Sequence, residues 1–208
     1  IVYRNFQKMI VIVDYGMGNL HSVYKALERL NVEAVISSSQ AEIEKADKLI
    51  LPGVGHFKKG MENLKSLNLV KILNKKVLEE KTPILGICLG IQLFTKHSEE
   101  GDVSGLGWID AETIKFSNSK LKIPHMGWNS IKIKKQNSIF SGINQDEQFY
   151  FVHSYYVVPK NRELISSTAS YGKEFVSSIR KDNIYGVQFH PEKSHSAGLA
   201  LLKNFVEL

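Results

Sequence analysis

The sequence predicts an α/β fold in which a central, mostly parallel mixed sheet is flanked by helices and extended by antiparallel strands. The first half alternates apolar runs with stretches of helical spacing, and this alternation implies right-handed crossovers between parallel strands. The runs, such as 9–13, are continuously apolar, as expected for strands covered on both faces. The second half consists of strand-like segments joined by short turns, which indicates antiparallel additions.

Each element can be assigned from its own pattern. Strands are predicted in the first half at 9–13, 32–36, 48–51 and 83–87, with Pro52-Gly53 ending the third. Helices are predicted where apolar residues recur at helical spacing, at 20–30, 40–46, 57–67, 69–80 and 89–96. The second half has predicted strands at 111–116, 129–135, 148–158, 164–171, 175–181 and 184–190, and a closing helix at 195–208.

Length and composition predict a single domain that begins at Met9. The chain has 208 residues, 43% of them hydrophobic and 23% charged, which is ordinary for a globular protein. Met9 stands just before the first apolar run. Residues 1–8 are therefore interpreted as a tag remnant or a short extension, and the domain is predicted at 9–208.

Several classes of partner and location are disfavoured. The net charge is +6 without a run of five or six basic residues, so nucleic acid is not an expected partner. No apolar run approaches the length of a membrane span, which needs about 18 residues, and the N-terminus has no signal-peptide segment. The single cysteine cannot form an internal disulfide, so a reducing cytoplasm is the expected location.

The strongest local signal for chemistry is the segment Gly86-Ile87-Cys88-Leu89-Gly90. It lies between a predicted strand and a predicted helix, which is the arrangement of a nucleophile elbow with cysteine in place of serine. Glycines permit the tight turn. The helix N-terminus favours a thiolate and offers a backbone N–H to an oxyanion. Taken alone, this cysteine could also be an inert, buried side chain.

A base for that thiol is predicted near the C-terminus, in the segment Gln188 to Ser194. A thiol nucleophile needs a base, and the base needs an orienting group. Residues i and i+2 of an extended segment point the same way, so His190 and Glu192 can face one site. A surface histidine and glutamate after a strand are the alternative, but the elbow and this pair together are more specific than either.

With these motifs, the sequence resembles the triad-type class I glutamine amidotransferases, which have a flavodoxin-like fold. Gly-Ile-Cys-Leu-Gly-Ile-Gln at 86–92 and Gly-Val-Gln-Phe-His-Pro-Glu-Lys-Ser at 186–194 resemble the two signatures of that family. Pro-Gly-Val-Gly at 52–55 stands where the superfamily carries its oxyanion strand. Segments 14–20, 124–129 and 150–155 are similar to those of the glutaminase subunits of imidazole glycerol phosphate synthases.

The resemblance implies a Cys-His-Glu triad. Cys88 is expected to attack the carboxamide of glutamine. His190 is expected to accept the thiol proton and to donate a proton to the departing ammonia, while Glu192 holds the imidazole in place. No metal and no organic cofactor are implied.

Backbone donors and substrate contacts are implied around this triad. The oxyanion is expected to be bound by backbone N–H groups in the set Gly53, Val54 and Leu89. Glutamine is expected to contact four side chains or segments: Gln92, His153, Ser154 and Tyr155. Ordinary surface or core roles are the alternatives for these four, and a structural histidine is a serious alternative for His153.

The resemblance also implies a partner subunit. Asn19 and Trp128 are expected near the docking face for a (β/α)8-barrel cyclase, with a turn at Gly127 displaying the Trp128 ring; a core aromatic is the alternative. The heterodimer would pass ammonia through the barrel and make imidazole glycerol phosphate and AICAR in histidine biosynthesis. Glutaminases with this oxyanion segment tend to be poorly active alone, because a backbone N–H points away from the oxyanion, so partner binding is expected to raise activity.

Three other functions remain open. Closely similar paralogues feed ammonia to enzymes that amidinate sugars for surface polysaccharides or glycans, with the same triad and a different partner. An inactive amidotransferase-like subunit that serves as a binding module is the second. A cysteine hydrolase of another class is the third, and the His-Pro-Glu spacing weakens it.

Overall fold

The computed structural model of the protein describes residues 8–117, 121–136 and 138–208. The predicted tag remnant or extension at 1–8 lies outside the described residues except for Lys8. Within the described ranges, nine strands form one mixed sheet and four form a second. Helices flank the large sheet, so the predicted α/β fold with a mixed central sheet and antiparallel additions is confirmed.

Thirteen strands and six α-helices lie in the described part of the chain. The strands are β1 (Ile10–Val13), β2 (Ala34–Ser37), β3 (Lys48–Gly53), β4 (Ile84–Cys88), β5 (His97–Ser98), β6 (Val103–Ser104), β7 (Ala111–Lys115), β8 (His125–Ile133), β9 (Gln148–His153), β10 (Tyr155–Pro159), β11 (Ile165–Tyr171), β12 (Lys173–Lys181) and β13 (Ile184–Val187). The helices are α1 (Leu20–Arg29), α2 (Gln40–Lys45), α3 (Phe57–Ser66), α4 (Leu69–Asn74), α5 (Leu89–Leu93) and α6 (His195–Val206). A π-helical stretch follows α4 at Lys75–Glu79.

The large sheet has the order β2-β1-β3-β4-β13-β12-β11-β8-β9. Its first five strands are parallel to one another, and the remaining four pair with their neighbours in antiparallel fashion. The smaller sheet has the order β10-β7-β5-β6. The carboxyl ends of β3, β4 and β13 therefore meet at one edge of the large sheet, where open α/β sheets bind their ligands.

The core lies on both faces of the large sheet, because side chains along a strand alternate between the faces. In β1, Ile10 and Ile12 belong to one apolar cluster, whereas Val11 and Val13 belong to the other. Helices α1 and α6 cover the first face, and α2 to α5 cover the second. No helix in the described ranges has the length and apolar character needed to span a membrane.

Some predicted boundaries in the first half were wrong. Strand β3 does not end before Pro52 but runs to Gly53, which pairs with Cys88 of β4. A proline is tolerated there because β1 pairs with β3 only as far as Ile50. The helix predicted at 69–80 changes to π geometry after Asn74. The helix predicted at 89–96 ends at Leu93, since the chain turns into β5, which pairs with β7.

The predicted strand 148–158 is two strands in different sheets. Strand β9 ends at His153 and pairs with β8, whereas β10 begins at Tyr155 and pairs with β7. The strand predicted at 129–135 begins earlier, at His125, and the one predicted at 184–190 ends at Val187. Strands β5 and β6 were not predicted, because two-residue strands have no periodicity.

Candidate active site

Cys88 occupies a strained turn between β4 and α5. Its φ is +55° and its ψ is −105°, a region that L side chains rarely adopt. Glycines make the turn possible: a Cβ at Gly86 would lie 2.5 Å from the Phe94 ring, and one at Gly90 would lie 1.8 Å from the Leu51 carbonyl oxygen. The turn thus has the geometry of a nucleophile elbow, which displays one side chain at the carboxyl end of the sheet.

The sulfur of Cys88 faces a small cavity. Cys88 is 6% exposed, and its Sγ lies 3.7 Å from the Val152 carbonyl oxygen and 3.8 Å from Gln188 Nε2. The cavity has a volume of about 230 Å³, below the roughly 300–1,000 Å³ of pockets for drug-sized ligands. It therefore suits a small substrate. Six of the predicted site residues line it together with Cys88, namely Val54, Leu89, Gln92, His153, Ser154 and Tyr155.

A buried His-Glu pair is held at the carboxyl end of β13. Nδ1–H of His190 donates to Glu192 Oε1 at 2.7 Å, and each side chain is 2% exposed. The backbone is not extended as predicted: Pro191–Lys193 forms a 3-10 turn, which brings the carboxylate back to the imidazole. The His190 N–H donates to the Tyr150 carbonyl at 2.9 Å, and the Ser194 hydroxyl donates to the His190 carbonyl at 2.6 Å, so the segment is fixed at both ends.

The neighbours of His190 set its charge. Burial disfavours the imidazolium, but the Cys88 sulfur and the Glu192 carboxylate outweigh burial and raise the pKa of His190 to about 10. Nε2 of His190 has no hydrogen-bond partner among the described residues, so this ring nitrogen is available to the sulfur. The arrangement can hold a thiolate beside an imidazolium, which is how reactive cysteines are activated.

The sequence over residues 11–208 matches the family model for glutamine amidotransferase class-I. The chain belongs to this family. The resemblance inferred from the motifs is thereby confirmed over nearly the whole chain.

Relatives of this family member cover nearly all of its length. It is 53% identical over 200 residues to imidazole glycerol phosphate synthase subunit HisH 2 of Methanococcus maripaludis, a match that covers 96% of this chain and 99% of the relative. Subunit HisH 1 of the same organism is 48% identical over 205 residues, with 96% and 100% covered. A glutamine amidotransferase structure from Thermotoga maritima has a TM-score of 0.68 at 16% identity, covering 98% of this chain and 100% of that one, and this likeness concerns the fold alone.

The amidotransferase fold brings the predicted oxyanion residues to Cys88. Leu89 is the first residue of α5, where backbone N–H groups lack intrahelical partners. Gly53 pairs with Cys88 across β3 and β4. Val54 is 38% exposed and lines the cavity, and Gly55 follows with a φ of +109°. Their role as oxyanion donors stays a prediction.

Gln92 lies in the cavity wall, but its amide is already engaged. Its Nε2 donates to the Tyr155 carbonyl at 3.0 Å and to Gln188 Oε1 at 3.1 Å. Gln188 in turn approaches the Cys88 sulfur, a contact that sequence reasoning missed. The signal was available, because Gln188 precedes His190 by two residues in a strand-like segment and such residues share a face.

His153 belongs to a buried histidine pair, which favours a structural role. Its Nδ1–H donates to the Tyr155 carbonyl at 2.8 Å, so its Nε2 accepts from Nδ1–H of His125 at 3.0 Å. Nε2 of His125 then accepts from Asn129 Nδ2 at 3.2 Å. The ring of His153 also lines the cavity, so contact with substrate stays a prediction. His125 was missed because the pair is made only when β8 lies beside β9.

The histidine pair is expected to make the protein less stable as the pH falls below about 6.5. Burial lowers the pKa of His125 to about 4 and that of His153 to about 3, whereas both titrate near about 6.5 in an unfolded chain. Between these values the unfolded state binds more protons. The contribution of the pair to the free energy of unfolding is therefore complete above about pH 6.5. It is lost as the pH falls towards the pKa values of the folded state.

Urea unfolding midpoints between about pH 8 and about pH 4 would measure this loss. His125→Gln is the matched variant, because it removes one titrating ring and keeps a polar group. Its midpoint should fall less steeply over the same pH range. If the midpoint fell equally steeply with pH in the wild type and the variant, the histidine pair would not be the cause of the loss.

Asn19 and Trp128 lie outside the cavity. Asn19 caps α1 through Oδ1, which accepts from a backbone N–H at 3.3 Å, so it has a structural role of its own. Trp128 is 45% exposed and stacks on the His195 ring, with centroids 4.8 Å apart. The alternative of a core aromatic is therefore wrong. The turn predicted at Gly127 is wrong as well, because Gly127 and Trp128 lie within β8. Alternation along this strand places Trp128 on the same face as the exposed Met126.

Proposed function

We propose that this chain hydrolyses glutamine to glutamate and ammonia with a triad of Cys88, His190 and Glu192. The observation that carries the proposal is the strained elbow, which holds the Cys88 sulfur in a small cavity. The buried His190–Glu192 pair follows β13, the strand beside the one that ends in Cys88. Membership of the class-I glutamine amidotransferases supports it. We propose a cytoplasmic location, because a reducing compartment keeps a catalytic thiol from being oxidised.

The reaction follows from the residues of the triad. The Cys88 thiolate attacks the side-chain carboxamide carbon of glutamine and forms a tetrahedral intermediate. The His190 imidazolium then protonates the amide nitrogen and the C–N bond breaks. Ammonia departs, and the glutamyl group remains on Cys88 as a thioester. Water, deprotonated by His190, attacks the thioester, and glutamate leaves as the thiolate is regenerated. Glu192 keeps the imidazole oriented and stabilises its charged form.

The oxyanion of each intermediate needs two backbone donors in the reacting state. The Leu89 N–H at the start of α5 is one, and an N–H of the segment that contains Gly53 and Val54 is the other. Loss of one such donor typically costs about 3–4 kcal/mol of transition-state stabilisation. The substrate itself is proposed to contact Gln92 and the segment of His153, Ser154 and Tyr155, all of which line the cavity.

The ammonia is proposed to pass to a (β/α)8-barrel cyclase in a heterodimer that makes imidazole glycerol phosphate and AICAR in histidine biosynthesis. Both Methanococcus relatives are named as subunits of imidazole glycerol phosphate synthase. Met126 and Trp128 are exposed by 62% and 45% and, with Asn19, would lie at the docking face. Direct passage matters because ammonia that reaches bulk water is protonated and ceases to be a nucleophile.

The proposal is tested by glutamate release from glutamine, measured for the purified chain alone and with the barrel cyclase and its phosphorylated nucleotide ligand. We expect slow release alone and a marked stimulation in the complex, because partner binding shifts the population of the oxyanion segment. The cyclase without the nucleotide ligand is the control. Equal turnover by the isolated chain and the complex would contradict the coupling.

Supply of ammonia for sugar amidination is a second candidate. Methanococcus maripaludis has two relatives of this chain, at 53% and 48% identity, so one organism can hold two closely similar subunits of this kind. The triad chemistry is the same in both cases. Glutaminase activity without any response to the cyclase would favour this candidate.

A further inference from the structure

The hydroxyl of Tyr15 is a buried donor that the proposed reaction does not use. Tyr15 follows β1 and is fully buried, and its Oη has no hydrogen-bond partner among the residues that the structure describes. Burial, with a further contribution from the charge of Cys88, raises the pKa of the phenol above its ordinary range, so the group stays protonated. Buried polar groups are almost always paired, and one left unpaired costs folding free energy.

The hydroxyl lies against the backbone of the predicted oxyanion segment. A Cβ added at Gly53 would sit 2.2 Å from Tyr15 Oη and 2.8 Å from Leu89 Cβ. Val54, the next residue, lines the Cys88 cavity, whereas Tyr15 is not part of its lining. The peptide that joins Gly53 to Val54 therefore extends from the hydroxyl to the cavity.

The absence of a side chain at Gly53 gives this peptide freedom to rotate. Rotation changes ψ of Gly53 and φ of Val54, and Gly53 has no Cβ that would restrict its part of the movement. Rotation of the peptide exchanges the directions of its C=O and its N–H. The C=O and the N–H of one peptide point in opposite directions. A Gly53 carbonyl turned to the hydroxyl would therefore leave the N–H of Val54, which lines the cavity, pointing away from Tyr15.

We propose that Tyr15 is a positioning residue for the oxyanion: in the reacting state its hydroxyl donates to the Gly53 carbonyl and so holds the Val54 N–H towards the oxyanion. The inference rests on the proposed glutaminase reaction. Tyr15 touches no reacting atom and acts through the backbone. Its unpaired hydroxyl in the resting arrangement disfavours that arrangement and thereby favours the rotated one.

Tyr15→Phe in the complex with the cyclase tests the proposal by changing activity and stability in different directions. We expect kcat to fall by about tenfold or more, with KM within about twofold, because a contact made only in the reacting state is lost. The thermal unfolding midpoint should stay the same or rise, because the variant removes an unpaired buried group. A residue with a merely structural role would lower the midpoint.

Two controls sharpen this result. Tyr185→Phe removes another buried hydroxyl, which lies 3.4 Å from Ser138 Oγ and outside the cavity, and it should leave kcat unchanged. Alkylation of Cys88 by iodoacetamide forms no oxyanion, so its rate should be the same in Tyr15→Phe and the wild type.

The failure of this inference and that of the proposed function are distinguishable. If the wild type is active but Tyr15→Phe has an unchanged kcat or a lowered unfolding midpoint, only the role of Tyr15 is overturned. A wild-type complex that releases no glutamate overturns both.

Discussion

Cys88→Ser is expected to abolish glutamate release, with a loss in kcat of at least about 10⁴-fold. The thiolate is the attacking group, and a serine hydroxyl in the same place ionises far less readily. The substitution is nearly isosteric, so the elbow and the buried His190–Glu192 pair should remain folded. Glutamate release by the complex with its cyclase, compared with the wild type at equal concentration, measures the effect.

The composition of the chain provides a specific control for this prediction. Cys88 is the single cysteine among 208 residues, so the mass added by a glutamine-mimicking electrophile reports this side chain alone. The wild type should be labelled and the variant should not. Glutamate release that survives the substitution would exclude the triad. A wild-type thiol that resists the electrophile would instead support an inactive binding subunit.

Gly90→Ala is expected to lower the free energy of unfolding by about 3 kcal/mol or more. Its Cβ would lie 1.8 Å from the Leu51 carbonyl oxygen, which belongs to the backbone of β3 and cannot rotate away. Either β3 or α5 must move, and both carry the residues that surround Cys88. Urea unfolding at neutral pH measures the loss, and activity should fall with it.

Gly60→Ala is the matched control for Gly90→Ala. Gly60 lies in α3, and its Cβ would approach the flexible end of Leu93 at 3.3 Å. Alanine is favoured over glycine inside a helix by about 1 kcal/mol, so this variant should be neutral or slightly more stable. Similar losses in both variants would show that contact with the β3 backbone is not the cause.

The catalytic candidates could be predicted because the features that define them are local. Glycines around Cys88 mark a turn that other residues could not make, and the strand before it is a continuous apolar run. His190 and Glu192 were found by their spacing, although the predicted extended backbone is a 3-10 turn. The contact between the His190 and Glu192 side chains forms all the same, because residues only two positions apart stay close in either conformation.

Contacts between distant strands could not be predicted in the same way. Segment 148–158 has the pattern of one strand, yet it is divided between two sheets because β9 pairs with β8 and β10 pairs with β7. The buried pair of His125 and His153 exists only through that pairing. A pattern of side chains along one segment contains no information on which strand will lie beside it.

By itself, the sequence determined the order of strands and helices in the parallel half, the elbow at Cys88 and the family to which the chain belongs, since these depend on runs, glycines and spacings within short segments. The tertiary structure alone decided which buried groups are paired. Gln188 approaches the sulfur of Cys88 from 100 residues away. The hydroxyl of Tyr15 lies against Gly53 without a hydrogen-bond partner among the described residues. Such contacts form only when sheet pairing and core packing bring distant strands together, because hydrogen bonds and steric contact act over a few ångströms.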